Sequence, residues 1–291
     1  MKGKYTITFI CKVLNISPKS YYKHMKRISN PKPKPQINEI TEAVLEEYSR
    51  HKGKVGYRNI HATVVNKYKW VKEYQVYNIL RAHGLKCVIK PKGKKNKYTK
   101  QKASAGNIYD NVIKRDFSTR SPNTKWVTDS TEIKIFGTEF HFSAVLDVYN
   151  NQIKGYGCSQ VLDSELVKKT FEKALKDIKT DYLIIHSDQG TIYRSNNWKD
   201  FVEGFKNINT VELSMSRKGN PWDNACIESF FSLLKSSLPE LQSAQSVEEA
   251  TRIITDYIDY YNNHRTQYVL GYKTPATFCG EKRKYQKKAS G

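Results

Sequence analysis

Glu228 and Lys235 lie seven residues apart in the run SMSRKGNPWDNACIESFFSLLKSSL, residues 214–238. Seven residues make two turns of a helix, so both side chains can share one open face. Ile227, Phe231, Leu234 and Leu238 recur at helical spacing and mark a second face that can be buried. The turn Gly219, Asn220, Pro221 precedes the run, and Asn224 stands one turn before Glu228. A carboxylate near a helix start could hold a metal while a lysine two turns on holds a phosphate. Taken alone, such a Glu and Lys are more commonly a loose solvated pair.

Two other carboxylates change the balance. YLIIHSDQG, residues 182–190, is a short apolar run ending in Asp188 and a glycine turn. It reads as a buried strand that delivers Asp188 at its C-terminal end, where open α/β sheets place their sites. WVTDSTEIKI, residues 126–135, is a β-branched run with Asp129 inside it. A charge within such a run costs free energy unless it is paired or bound to a metal. Glu132 and Asp147 are expected to face solvent from their strands. Asp223 is expected to cap the Glu228 helix, and His186 to be structural.

The elements that must position these residues follow in order. Residues 6–27 read as two short helices about a turn, with Ser17 as N-cap and Pro18 at the first helical position. That is the outline of a helix-turn-helix, with a small packing hairpin as the equal alternative. A stiff Pro/Lys linker covers 31–37. Three helices are expected near 40–48, 57–68 and 74–83, the last ending at Gly84; they form a helix-turn-helix-type DNA-binding domain over 38–90. A Lys-rich linker spans 91–122. Strands near 125–135, 139–149 and 152–160, a helix from 163, the Asp188 strand, a helix near 196–205, a strand near 210–215, the Glu228 helix and a helix over 247–262 give a mixed α/β domain, 123–280. A basic tail, 281–291, closes the chain.

Charge agrees with this division. Residues 1–100 hold 24 Lys and Arg against 5 acids, a balance of +19, while residues 101–291 hold 26 against 23, a balance of +3. A basic front half on a nearly neutral back half suits nucleic acid. An anionic membrane is the rival partner, but the basic half has no long amphipathic helix with an aromatic face. The five cysteines are scattered with no CxxC, which points away from disulfides and zinc and towards a reducing cytosol.

NVIKRDF (111–117), SPNTKWVTDST (121–131), HSDQG (186–190), SMSRKGN (214–220), WDNA (222–225), ESFF (228–231), YYNN (260–263) and LGYKTP (270–275) stand in this order. Together they resemble the second-frame transposase of the IS-three family of bacterial insertion sequences, from about Gly53 to Phe278. The resemblance implies a ribonuclease-H-like mixed sheet of the retroviral integrase type, preceded by small all-α DNA-binding units. It implies a catalytic, metal-binding triad that falls on Asp129, Asp188 and Glu228, and a Lys or Arg seven residues past the Glu, here Lys235. Two Mg²⁺ or Mn²⁺ ions per site are expected with it. So are DNA contacts from Lys235, Arg217, Lys218 and Asn224. The expected partners are double-stranded DNA, both terminal inverted repeats and target, and further copies of the chain on that DNA. A helix-turn-helix product of an upstream frame, fused or separate, belongs to the same expectation, as does a bacterial cytoplasmic, nucleoid-associated location. Two departures stand out. Thirty-nine residues separate Asp188 from Glu228, a few more than usual, with the surplus around 205–210. Ser130 replaces the apolar residue that commonly follows the first Asp.

Three rival readings are a tyrosine recombinase built on His264, Arg265 and Tyr268, a catalytically silent DNA-binding repressor, and a metal-dependent nuclease without strand transfer. The first lacks the further Arg and His residues that covalent catalysis would need. An intact set of three carboxylates opposes the second. A fragment of residues 1–100 is expected to bind DNA without the rest. Its affinity, measured by fluorescence anisotropy, should fall roughly 10³-fold between about 50 and 200 mM salt as counterions are released.

Overall fold

The computed structural model describes residues 6–29, 37–89, 106–135, 138–176, 178 and 180–280. Residues 31–36 of the Pro/Lys linker, residues 91–105 of the Lys-rich linker and the basic tail lie outside the described residues. Helices α1 (Ile7–Val13) and α2 (Pro18–Ser29) flank a short turn. Ser17 accepts a bond from the Ser20 backbone N–H at 3.1 Å, which is the capping contact its position predicts.

Helices α3 (Ile37–Arg50), α4 (Tyr57–Lys67) and α5 (Glu73–Ala82) form the next unit. Their apolar stripes meet in one small core of Ile40, Val44, Ile60, Val64, Val76 and Leu80. Tyr74, Asn78 and Arg81 of α5 are exposed. This unit docks on the larger domain through polar contacts. His51, almost fully buried, lies 3.0 Å from Glu47 Oε1 and 2.9 Å from the Tyr260 hydroxyl. Asn59 donates to the Thr266 carbonyl at 2.6 Å, and Lys54 pairs with Glu240 at 3.3 Å.

The larger domain carries strands β1 (Lys125–Ile135), β2 (Thr138–Asp147), β3 (Ile153–Ser159), β4 (Thr180–Ser187) and β5 (Ile208–Met215) in one sheet of order β3-β2-β1-β4-β5. Short turns make β1, β2 and β3 an antiparallel meander. Helices α6 (Ser164–Leu175) and α7 (Asn196–Glu203) cross over to β4 and β5, which therefore run parallel to β1. Helices α8 (Ala225–Ser237) and α9 (Val247–Asn263) complete the domain. This is the ribonuclease-H-like mixed sheet that the resemblance implies, preceded by helical units.

Side-chain alternation sorts the two faces. Trp126, Val145, Leu183 and Ile185 pack with Val167 and Phe171 of α6 and Trp198 and Val202 of α7. Val127, Ile133, Phe142, Ala144 and Leu146 pack with Ile227, Phe231 and Leu234 of α8 and Ile254 and Ile258 of α9. Asp129 and Thr131 have the same parity as Val127, so they belong to the α8 face.

Two expectations fail. Asp147 is 1% exposed and does not face solvent. It closes the β1–β2 end by accepting the backbone N–H groups of Asn123 at 2.8 Å and Tyr149 at 2.9 Å. Asp223 is fully buried and does not cap α8: it lies in a 3₁₀ turn, Pro221–Asn224, and Asn224 occupies the N-cap position without a side-chain cap bond. Both carboxylates found backbone or guanidinium donors, some nearby and some from distant segments, which strand and helix periodicity do not register.

Helix α6 lies close on β3 because Gly155 has no side chain. A Cβ there would run into the Thr170 carbonyl and come within 2.7 Å of the Ala174 nitrogen. Gly155→Ala should therefore cost roughly 1–3 kcal/mol in denaturant unfolding. Gly280→Ala, where a Cβ meets nothing within 4 Å, is the control.

Candidate active site

β1 and β4 are paired from Lys125↔Ile184 to Val127↔His186 and then part. The same register continued by two residues would set Asp129 against Asp188, the first residue beyond β4. The two carboxylates thus sit where two parallel strands diverge, at the C-terminal end of β4. They line one open cleft of 440 Å³ together with Ser130, Gly190, Tyr193 and Arg194.

Each carboxylate accepts a nearby backbone N–H. Asp188 Oδ1 accepts the Gly190 backbone N–H at 2.8 Å. A Cβ on residue 190 would lie 2.8 Å from that same oxygen, so this turn needs glycine. Asp129 Oδ1 accepts the N–H of Ser130 at 2.7 Å. Beneath them, Thr128 Oγ1 donates to the Ala144 carbonyl at 3.1 Å and lies 3.2 Å from the buried Tyr193 hydroxyl.

Helix α8 is stitched to β1 on either side of Asp129. Asn224 Nδ2 donates to the Thr128 carbonyl at 3.2 Å, and Lys235 Nζ donates to Thr131 Oγ1 at 2.6 Å. Glu228 stands between these two stitches on an exposed position. It does not line the cleft, yet its charge acts on Asp129, and that of Asp188 acts on it. Among the described residues, no three His, Cys, Asp or Glu side chains are gathered tightly enough to cage an ion as they stand.

The electrostatics are those of crowded like charges. Burial, then Asp188, then Glu228 push Asp129 up to about 8, against the Ser130 N–H and Lys235. Asp188 is raised by burial, against Gly190 and Arg194. Glu228 is raised by burial and by Asp188. Such a group is stable when protonated or when a cation shares the site. The donors are carboxylate oxygens, the set preferred by Mg²⁺ and Mn²⁺, so the residues present fit a hard divalent ion.

The other expected residues fall differently. Lys235 is half-buried and reaches β1 beside Asp129. Lys218 is exposed on the turn before α8. Arg217 is partly committed: its Nε and Nη2 bond Asp223 at 2.8 and 2.9 Å, though 59% of its side chain is exposed. Asn224 is 3% exposed, and its Oδ1 has no hydrogen-bond partner in the protein. His186 is structural, as expected. It is fully buried between the hydroxyls of Ser214 and Ser216 at 2.8 and 3.1 Å, and burial pushes it down to about 4, so it is neutral. Residues overlooked in the sequence are Tyr193 and Arg194 in the cleft, and Arg115 behind α8. The first two follow the Asp188 turn closely, the signal that could have marked them. Arg115 lies in the NVIKRDF motif, but its partner is 108 residues away.

Comparison with known proteins gives a consistent result. Residues 119–221 and 209–275 match two family profiles, each described as an integrase core domain, and residues 36–93 match an HTH-like domain. The chain is 30% identical to the putative transposase InsK for insertion sequence element IS150 of Escherichia coli K12, covering 94% of this chain and 93% of that one. It is 30% identical to the transposase for insertion sequence element IS904 of Lactococcus lactis, covering 82% and 92%. It is 25% identical to transposase InsF for insertion sequence IS3A of E. coli K12, covering 95% of each.

The carboxylate crowding has a measurable sign. A carboxyl whose folded pKa is raised binds its proton more tightly in the native state, so its contribution to stability is lost as pH rises. For Asp129 that contribution is complete below its ordinary 3.8 and lost as pH rises through about 8. Metal-free protein should therefore melt at progressively lower temperature across this window relative to Asp129→Asn. Differential scanning calorimetry of both proteins checks it.

Proposed function

Because the chain belongs to the IS-three family of insertion-sequence transposases, with an integrase core behind an HTH-like domain, we propose that it cuts DNA at the ends of its element and joins those ends to a target. The observation that carries this reading is the pair Asp129 and Asp188 at the divergence of β1 and β4, with Glu228 near enough on α8 for its charge to act on Asp129. Asp129, Asp188 and Glu228 are the catalytic and metal-binding residues. Together Asp129, Asp188 and Glu228 would hold two Mg²⁺ or Mn²⁺ ions. When bound, such ions supply Lewis-acid activation of the attacking oxygen and stabilisation of the leaving one.

The rest of the chemistry is orientation. Water attacks the phosphorus at the element end, the bond from phosphorus to the 3′ oxygen breaks, and a 3′-OH is left. That 3′-OH attacks a second phosphodiester and displaces its 3′ oxygen, so one phosphodiester replaces another and no external energy source is needed. Asn224 holds the first turn of α8 along β1, so Glu228 approaches from a fixed direction. Lys235 also presents an ammonium beside the carboxylates, where a DNA phosphate would lie, and Lys218 and Arg217 extend the basic edge. These contacts set register and affinity.

Both helical units are proposed to read DNA, residues 1–30 and 38–90, with the core over 123–280. The exposed face of α5, with Tyr74, Asn78 and Arg81, is the surface offered to a groove. Joining two element ends calls for at least two copies of the chain, and an upstream-frame partner would add to the basic front half. The site of action is the bacterial cytoplasm, on the nucleoid. Among the described residues no helix is long and apolar enough to cross a membrane.

Asp129→Asn, Asp188→Asn and Glu228→Gln should each lower cleavage of a labelled element end by roughly 10³-fold or more, a triad acting as a unit, with duplex binding retained. Lys235→Ala should instead weaken crosslinking to the DNA while leaving Mn²⁺ binding intact. Robust cleavage by any one of the three carboxylate variants would remove that residue from the assignment.

A further inference from the structure

The fully buried carboxylate of Asp223 lies outside the catalytic set, yet it is the most heavily bonded acid among the described residues. Oδ2 accepts Arg217 Nε at 2.8 Å, the Arg217 backbone N–H at 3.1 Å and Asn111 Nδ2 at 2.9 Å. Oδ1 accepts Arg217 Nη2 at 2.9 Å and Arg115 Nε at 2.8 Å. Arg115 Nη2 goes on to Asn220 Oδ1 at 3.1 Å. One acid thus ties three stretches: the strap ahead of β1, the turn after β5 and the entry to α8.

The strap itself is bent into this contact. Lys114 and Arg115 are successive non-glycine residues with φ of 48° and 66°, a conformation that persists only where surrounding contacts impose it. The neighbouring Ile113 is 2% exposed in the same core as Ile227 of α8. Val112 N–H donates to Ser214 Oγ at 2.9 Å, which fixes the strap along β5.

What this knot controls follows from the next residue. Asn224 makes no side-chain cap to α8, and its amide is spent on the carbonyl of Thr128, the neighbour of Asp129. The first turn of α8 is therefore aimed by two anchors, Asp223 behind and Asn224 in front, and Glu228 follows one turn later. Glu228 is also the carboxylate that does not line the cleft. Its approach depends on the direction of that turn.

We propose that Asp223, clamped by Arg115, Arg217 and Asn111, is a positioning residue that aims the first turn of α8 and so sets the approach of Glu228 to the Asp129 and Asp188 cleft. This rests on the reading of Glu228 as a metal-binding carboxylate. The knot touches neither substrate nor ion. It acts through the helix, as outer supports of metal ligands do.

The test is a cycle on the full-length protein. Mn²⁺ affinity is read from the paramagnetic resonance signal of free Mn²⁺, with thermal melting and binding to a duplex of the flanking element end measured alongside. Asp223→Asn keeps the shape and removes the charge, and should weaken Mn²⁺ on the order of tenfold with duplex binding unchanged. Arg115→Gln alters a half-exposed partner on the strap and should weaken Mn²⁺ in the same direction. In a Glu228→Gln background, each should add nothing. A purely structural role would weaken Mn²⁺ as much in that background as in wild type, which overturns the proposal. If Asp223→Asn does not fold, Arg115→Gln decides by the same criterion. Wild-type Mn²⁺ affinity in the folded variants, with Glu228→Gln weakened, overturns the positioning role alone. Wild-type affinity in Glu228→Gln overturns the metal assignment of Glu228 and the positioning role with it.

Discussion

Two partly buried carboxylates, Asp129 and Asp188, lie together with the exposed Glu228 near enough to add its charge, and much of the core is arranged around that. Asp129 is hemmed in by burial, by Asp188 and by Glu228. Left free, side chains in such a setting would turn apart or take up protons. The fold opposes the first response with short local bonds: Ser130 N–H on Asp129 and Gly190 N–H on Asp188. Lys235 and Arg194 add positive charge from opposite sides of the group. What remains is a site whose unfavourable electrostatics a divalent cation can offset.

Holding acids at fixed positions needs a stiff frame, and the sheet supplies it. β1 is central, bonded to β2 on one side and β4 on the other, and both faces are covered by helices. The apolar packing beneath α8 and α9 fixes where α8 lies. Polar contacts fix how it is turned: Asn224 on Thr128, Lys235 on Thr131, and the Asp223 knot behind. Burying Asp223 would be expensive if any lone pair went unmet, and guanidinium donors meet both oxygens.

The helical unit of α3, α4 and α5 is joined to this frame by part-buried polar contacts. His51 bridges Glu47 and Tyr260, and Asn59 meets Thr266. Hydrogen bonds of this kind are directional, so they set the orientation of α5 relative to the cleft as well as its distance. The exposed face of α5 stays clear of that contact.

Much of this was legible in the sequence. The buried stripe of α8, the apolar run of β4 ending at Asp188 and the cap residues Ser17 and Asp163 follow from periodicity and local hydrogen bonding, and the elements lie within a few residues of expectation. The resemblance carried by the motif order pointed to Asp129, Asp188 and Glu228, and the structure brings the first two of them to one cleft. The fates of Asp147 and Asp223 were not legible, since each is held partly by a distant donor, Asn123 at 24 residues and Arg115 and Asn111 at 108 and 112, and no local pattern carries such a pairing. The pairing of Arg217 with Asp223 spans only six residues but crosses a turn, where helix and strand periodicity do not apply. The sequence by itself thus determined the elements, their buried faces and the residue types brought to the site, all consequences of short-range backbone geometry. Only the tertiary structure decided which charges are spent within the protein and how near Glu228 stands to its partners, because those depend on distances between segments that the chain order does not encode.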